Sequence, residues 1–190
     1  MLTKAALPTG GRVDDDRPTG VATRRLWARG SFLAMAGAPA TKVVLITSGL
    51  TCVIVPDHEP GREMTTALLG PGQIVGVTAL AGAPAYHSSV LAVTRVEGWA
   101  MPADQVMDAI GEDPVLARHV LEALSNRLGL TRGLLGDMVL LPVAQRIPGV
   151  MARLSSCSGG GEPHLSRKLL ASLIGARRET VSRAASGGAC

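Results

Sequence analysis

The spacing of the hydrophobic residues changes part-way along the chain. From Arg24 to Met101, short aliphatic and β-branched runs are separated by glycine and proline, a texture that predicts a compact antiparallel barrel or sandwich of short strands. After Asp113, apolar residues recur every three or four positions, which predicts helices. Residues 1–23 are polar and show no period, and we expect a mobile tail there. The pattern therefore predicts an α+β protein in which the strands precede the long helices.

The first of these predicted helices is long and apolar on two faces. Asp113 and Pro114 suit its N-terminus, because proline lacks an N–H that would be unpaired there and an acidic side chain is favourable at that end. One stripe has the 3-4-3-4 spacing of a coiled-coil seam and comprises Leu121, Leu124, Leu128, Thr131 and Leu135. A second stripe comprises Leu116, Val120, Leu130 and Leu134. We expect the second stripe to pack on the strand-rich domain and the first to form a two-fold dimer; burial of both within a monomer is the alternative.

A run near the end of the chain, residues 165–185, predicts two short helices joined by a tight turn. The first helix has one apolar stripe, made of Leu169, Leu170, Leu173 and Ile174. Gly175 then supplies the positive φ that the turn needs. In the second helix Thr180 and Val181 face inward, and the outward residues are Arg177, Arg178, Glu179, Ser182 and Arg183. This arrangement is typical of a helix-turn-helix with its recognition helix.

The side chains of this run suit DNA. Arginine can bond bidentately to guanine and glutamate can accept from cytosine, so Arg178, Glu179 and Arg183 are candidate base readers. Ser166 can cap the first helix and reach a phosphate. The predicted DNA contacts are Ser166, Arg167, Arg177, Arg178, Glu179, Thr180, Ser182 and Arg183. The alternative is an ordinary amphipathic helix pair with a solvated basic face.

Two parts of the chain resemble one family. The segment from Gly175 to Arg183, GARRETVSR, resembles the G-x-x-R-E-T-V-S-R signature of the CRP/FNR family of bacterial transcription regulators. Residues 48–50 (SGL), 61–63 (GRE) and 68–76 (LLGPGQIVG) are similar to the family's cyclic-nucleotide-binding β-roll. The recurring turn glycines of that fold match Gly49, Gly72 and Gly76. The resemblance implies a jelly-roll-like antiparallel β-roll sensor, a long dimerisation helix and a small winged-helix-type helix-turn-helix domain.

These features predict the domain organisation. The expected parts are a tail at 1–23, a β-roll at 24–110, a dimerisation helix at 111–137 and a helix-turn-helix domain at 138–190.

The last domain departs from the family pattern in three places. Within Pro142–Leu154, which corresponds to the family's first helix of this domain, Pro148 would kink or split the helix. Residues 155–163 contain three consecutive glycines and predict a loop. Gly187 and Gly188 would end the recognition helix early, and no wing follows. We therefore expect a C-terminally shortened domain with fewer phosphate contacts and weaker DNA binding.

The residues at the expected effector pocket argue against cyclic AMP. In family members that bind it, a Gly-Glu pair holds the ribose and an Arg-Ser pair holds the phosphate. Here Gly76 is followed by Val77, which cannot accept a hydrogen bond, and no arginine lies between Arg62 and Arg95. The pocket would comprise Gly76, Val77, Thr78, Tyr86, His87, Ser88 and Ser89. We expect a different small effector or an empty pocket.

No metal or cofactor is predicted. His87 could ligate haem or a metal, although a single histidine is more often an ordinary hydrogen-bonding residue. The iron–sulfur sensors of the family carry an N-terminal cysteine cluster, whereas the first cysteine here is Cys52. The three cysteines show no metal-ligand spacing and favour a reducing, cytoplasmic compartment.

Other function classes fit the sequence less well. There is no G-x-S-x-G motif, phosphate-binding loop or zinc spacing, and Cys157 and His164 have no positioned third group, so we do not expect an enzyme. No stretch approaches the roughly 18 apolar residues of a membrane span. The net charge of +4 and a pI of about 9.4 are compatible with nucleic acid as the partner.

The sequence therefore favours a dimeric transcription regulator that reads a palindromic operator and is gated by a small effector other than cyclic AMP. The expected partners are double-stranded DNA and a second copy of the chain, and the resemblance adds RNA polymerase. The alternative function is a β-roll sensory or interaction module that has lost productive DNA binding.

Overall fold

The computed structural model describes residues 22–56, 63–157 and 166–176. In these ranges eight strands are followed or interrupted by five helices. The strands are β1 Thr23–Trp27, β2 Phe32–Ala34, β3 Lys42–Ser48, β4 Thr51–Pro56, β5 Glu63–Leu69, β6 Ile74–Val75, β7 Ser89–Ala92 and β8 Val96–Pro102. The helices are α1 Val77–Leu80, α2 Ala103–Glu112, α3 Pro114–Leu140, α4 Val143–Cys157 and α5 Arg167–Ile174. The predicted α+β class is confirmed.

The strands form two four-stranded antiparallel sheets that face each other. Their orders are β1-β8-β3-β6 and β2-β7-β4-β5. Alternate residues of both sheets point inward, as expected for strands that bury one face, and they fill the space between the sheets with small and branched aliphatic side chains. This core comprises Ala34, Val44, Ile46, Val53, Ala67, Leu69, Val75, Val90, Ala92, Val96 and Ala100. The first part of the chain is therefore an antiparallel β-roll.

The turn glycines adopt the left-handed backbone conformation that the turns of the roll require. Gly49, Gly72 and Gly76 have φ values of +90°, +81° and +80°. At Gly49 a Cβ would lie 2.8 Å from the Val96 Cα and closer still to the Arg95 carbonyl oxygen. Both conformation and space therefore select glycine between β3 and β4.

Helix α3 begins where the sequence predicts a helix start. The Asp113 side chain accepts hydrogen bonds from the backbone N–H of Val115 (2.9 Å) and Leu116 (3.3 Å), and Pro114 occupies the first turn. This pairing satisfies two of the N–H groups that a helix start leaves unbonded.

One residue of the predicted buried stripe on α3 is misplaced. Val120 and Leu134 are buried, whereas Leu130 is 50% exposed. Leu130 lies at the edge of a cleft between α3, α4 and β5, so only one side of its side chain has neighbours.

Helix α4 differs from the sequence prediction at two points. It continues through Pro148, so the predicted split does not occur. Pro148 and Ala144, whose carbonyl oxygen loses its helical partner there, are both exposed, which lets water satisfy the oxygen. The loop predicted from residue 155 begins later, because residues 155–157 are helical; the rest of that loop lies outside the described residues.

Across the described part of the chain, we find no helix with the length and hydropathy required to cross a bilayer.

The close approach at Gly49 gives a test of the fold. In Gly72→Ala the new Cβ has no neighbouring atom within 4 Å. We therefore expect this variant to lower the free energy of unfolding only by the left-handed strain of about 1–2 kcal/mol. Gly49→Ala should cost roughly 2 kcal/mol more, because the new methyl group also collides with backbone. Urea unfolding of both variants measures the difference. Equal losses would contradict the packing at Gly49.

Candidate nucleic-acid interface and effector pocket

Helix α5 is the first helix of the predicted helix-turn-helix, and both of its ends match the sequence signals. The Ser166 Oγ accepts a hydrogen bond from the Leu169 N–H at 3.1 Å, so Ser166 is the N-cap. Gly175 ends the helix with φ +64° and ψ +38°, and the Ala176 N–H donates to the Ala171 oxygen at 2.9 Å. This left-handed C-cap redirects the chain immediately before Arg177.

The apolar face of α5 is buried against both the β-roll and α4. Leu173 and Ile174 are 1% and 0% exposed. They belong to a cluster, here called the junction cluster, that joins the outer face of the second sheet to three helices. Its buried members are Leu50, Cys52, Ile54, Val93, Leu134, Val150, Leu154, Ala171, Leu173 and Ile174. The cluster fixes which side of α5 faces outward.

A polar contact ties α5 to β5 beside this cluster. The Thr65 Oγ1 and Ser172 Oγ atoms are 2.7 Å apart, and Thr65 is fully buried. Because the Ser172 hydroxyl donates to the Leu169 oxygen at 2.9 Å, Thr65 must donate to Ser172. This directional bond fixes the register of α5 on the sheet.

The C-terminus of α5 is tied to α4 by one arginine. The Arg146 Nη1 donates to the Ile174 oxygen at 2.8 Å and its Nε donates to the Leu141 oxygen at 2.8 Å. A cation at these carbonyl oxygens satisfies groups that helix ends leave unbonded and complements the helix dipole. Arg146 therefore fixes the end of α5 just before the turn at Gly175.

The structure brings Tyr86 close to Gly76, but the hydroxyl groups of Tyr86 and Ser89 are hydrogen-bonded to the backbone of the roll. The Tyr86 ring lies against Gly76, with Cε1 3.2 Å from the place of a Cβ. The Tyr86 hydroxyl donates to the Lys42 oxygen at 2.7 Å and accepts from the Lys42 N–H at 3.3 Å. The Ser89 Oγ accepts from the Ala36 N–H at 3.0 Å. These two hydroxyl groups brace the backbone of the roll.

The remaining residues of the predicted pocket differ in their exposure. Val77 and Thr78 open α1, and these two residues and Ser88 are half-buried, whereas His87 is exposed. Within the described ranges no group of three or more His, Cys, Asp or Glu side chains could hold a metal ion.

The predicted dimer seam of α3 is largely uncovered in the single chain. Leu121, Leu128 and Leu135 are 67%, 51% and 41% exposed, whereas Leu124 and Thr131 are half-buried. The three exposed leucines are seven residues apart, so they lie along one side of the helix.

Comparisons with known proteins identify the domain family of the roll and relatives of the whole chain. Residues 24–113 match the family model of the cyclic nucleotide-binding domain. The chain is 28% identical over 165 residues to the CRP-like cAMP-activated global transcriptional regulator of Mycobacterium tuberculosis, covering 82% of this chain and 72% of that protein. It is 28% identical over 166 residues to the global nitrogen regulator of Synechococcus elongatus, covering 82% and 73%.

A solved structure shares the fold. The c-di-GMP responsive global regulator CLP of Xanthomonas campestris superposes with a TM-score of 0.76 and 22% identity, covering 87% of this chain and 86% of that one. Residues 24–113 are therefore a cyclic nucleotide-binding domain, and the chain as a whole is similar to transcription regulators of the CRP/FNR family. Its relatives are transcription regulators rather than enzymes, and transcription regulation is the role of this chain as well.

Most of the residues predicted to contact DNA are not part of the described structure. Arg177, Arg178, Glu179, Thr180, Ser182 and Arg183 lie outside the described residues, and their contacts with DNA stay predictions. For Arg167 the structure gives the position at the start of α5. The roles of Ser166 and Arg167 at DNA stay predictions as well.

Arg127 is a functional candidate that the sequence reasoning missed. Its Nη1 donates to the Ile74 oxygen at 3.3 Å, and burial lowers its pKa below the ordinary value for arginine. The expectation for the pocket was based on residues near Gly76 in the chain, whereas Arg127 comes from α3. A signal was present, since Arg127 is seven residues from both Val120 and Leu134 and so lies on the buried side of the helix.

The Thr65–Ser172 bond gives a test of the docked position of α5. Ser172→Ala leaves the buried Thr65 hydroxyl without its acceptor, and we expect a loss of about 1–2 kcal/mol in the free energy of unfolding. Adding Thr65→Val should recover part of that loss, with a coupling of about 0.5–1.5 kcal/mol in a double-mutant cycle.

Ser156→Ala is the matched control, because Ser156 also donates to the carbonyl oxygen three residues earlier (2.9 Å) but is exposed. A coupling of zero between positions 65 and 172 would contradict the hydrogen bond that sets the register of α5 on β5.

Proposed function

We propose that this transcription regulator binds a palindromic DNA site as a homodimer, through a helix-turn-helix made of α5 and the segment after Gly175. The observation that carries the proposal is the construction of α5. It has an N-cap at Ser166, a left-handed end at Gly175 and a buried face on α4 and the roll, so the segment that follows it in the chain starts from a rigid support. Helix-turn-helix proteins use their first helix in this way to hold a recognition helix in the major groove.

The charge of the segment supports DNA as its partner. In residues 165–185 five basic residues accompany one acidic residue, and positive charge near a duplex supplies binding free energy through the release of counterions. Arg178, Glu179 and Arg183 carry the donors and acceptors that read guanine and cytosine. The family relatives support the same assignment, since they are transcription regulators.

The exposed leucines of α3 support the homodimer. A row of apolar residues along a solvent-facing helix is costly to leave in water, and the same row on a second copy provides an isologous partner. A two-fold axis along α3 would place two recognition segments on the same side of the dimer. This symmetry matches that of a palindromic site.

The end of the roll near Gly76 is the proposed effector site. Cyclic AMP fits it poorly, because Val77 offers no acceptor for the ribose and Tyr86 already bonds to Lys42. Arg127 connects α3 to β6, the strand that ends one residue before Gly76. An effector that shifts this end of the roll would therefore change the position of the dimer helix, and with it the population of DNA-competent dimers.

Site discrimination by Arg178 tests the DNA assignment. We expect Arg178→Ala to lose about 1–3 kcal/mol of preference for a selected palindrome over random duplex, because a bidentate contact to guanine is removed. Titration of both duplexes at several salt concentrations measures the preference. The control is Arg118→Ala on the exposed side of α3, where Arg118 pairs with Glu122.

An equal loss of affinity for all sequences would make Arg178 a phosphate contact. Equal affinity of the unaltered protein for both duplexes would favour an interaction module without productive DNA binding.

The seam predicts the oligomeric state. Leu128→Glu should convert the dimer to a monomer, because two carboxylates would face each other across the two-fold axis. Val115→Glu is the control, since Val115 is similarly exposed (59%) but lies off the seam. Sedimentation equilibrium measures the mass of each. A Leu128→Glu protein that keeps the mass of the dimer would exclude the seam as the interface.

A further inference from the structure

The turn at Gly175 is contacted by side chains from two other helices. Gly175 ends α5 in the left-handed region, is exposed and has no side chain that could anchor it. A Cβ at this position would lie 3.4 Å from the Met138 Sδ of α3 and 3.5 Å from the Arg146 Nη1 of α4. The direction in which the chain leaves α5 is therefore bounded by α3 and α4.

Arg146 joins the ends of two helices. Its Nε donates to the oxygen of Leu141, the C-cap of α3, and its Nη1 donates to the oxygen of Ile174, the last residue of α5. Carbonyl oxygens at helix C-termini have no intrahelical N–H left to pair with. Because the guanidinium group is planar and its donors have fixed relative positions, the two bonds hold the ends of α3 and α5 at a set separation.

Met138 extends the row of residues that forms the predicted dimer seam. It lies seven residues after Thr131 and fourteen after Leu124, so the three share one side of α3. Met138 is half-buried against the junction cluster, beside Gly175, whereas the next residue, Val139, is 82% exposed. The side of α3 that carries the seam therefore ends on the turn.

We propose that Arg146 is a positioning residue that, together with Met138, transmits the position of α3 to the turn and so sets the direction of the segment after Gly175. The junction cluster fixes the body of α5, whereas these two side chains act at its end. A shift of α3 on dimer formation or effector binding would reach the segment through these contacts. The inference rests on the proposed function, because it concerns the orientation in which the segment meets DNA.

Arg153 provides a matched control on the same helix. Its Nη2 donates to the Asp137 Oδ2 at 2.8 Å, so it also joins α4 to α3. Its Nη1 has no hydrogen-bond partner among the described residues. Of the two arginines, only Arg146 therefore also bonds to α5 in the part of the chain that the structure describes.

Titration of the full chain with a selected palindrome and with random duplex tests the effect on DNA reading. We expect Arg146→Met to lower the preference for the palindrome by about tenfold or more, because a misplaced arginine loses its bidentate contact with guanine. Affinity for random duplex should change little, since the charges of the segment remain. Arg153→Met should keep the preference. An unchanged preference in Arg146→Met, or an equal loss in Arg153→Met, would overturn the proposal.

Native-state hydrogen exchange tests the turn without DNA. The Ala176 N–H, which donates to the Ala171 oxygen at 2.9 Å, reports on the turn, and the Leu173 N–H reports on the body of α5. In Arg146→Met we expect protection at Ala176 to fall about tenfold or more relative to Leu173. In Arg153→Met the two amides should change together.

A second variant guards against loss of folding in Arg146→Met. Met138→Ala removes the contact of α3 with Gly175 and should also lower the protection of Ala176 relative to Leu173. An equal change at both amides in Arg146→Met or in Met138→Ala would overturn the proposal. If the unaltered protein showed no preference for a palindrome, the proposed function would fail, whereas the exchange measurement would still test the role of Arg146.

Discussion

The junction cluster is the contact on which the rest of this structure depends. Cys52 and Ile54 of β4, with Leu50 just before that strand, meet Leu173 and Ile174 from α5, and all are at most 9% exposed. Burial of one such aliphatic side chain contributes about 1.5–3 kcal/mol, so these side chains together outweigh the single Thr65–Ser172 bond beside them. The apolar contact therefore holds α5 on the roll, and the hydrogen bond selects its register.

Local signals predicted the elements well, because each acts within a few residues. Asp113 and Pro114 begin α3, Ser166 and Gly175 bound α5, and the turn glycines have the positive φ values expected of them. The junction cluster could not be predicted in this way. Its members are spread from Leu50 to Ile174, and alternation along β4 shows only that its residues face two sides, not what covers the outer side.

At the candidate sites, too, local signals did not predict contacts between residues that are distant in the sequence. Tyr86 and Ser89 have the chemistry of ligand contacts, but their hydroxyl groups bond to the backbone of distant strands. Arg127 reaches Ile74 across 53 positions of sequence, so a search among neighbouring residues could not find it. The recognition segment itself lies outside the described residues, and its assignment rests on the pattern of arginines and on the family. What the structure adds is the packing that holds α5, the element immediately before that segment, on the roll and on α4.

Native-state hydrogen exchange of the intact chain tests the docking of α5 most directly. If the junction cluster joins the roll and the helices into one packed unit, the amides of Leu173 and Ile174 should open with nearly the same free energy as those of Thr65 and Ala67 in β5. Protection of α5 that is lower by several kcal/mol than that of β5 would contradict this account. Such a result would mean that α5 moves independently of the roll.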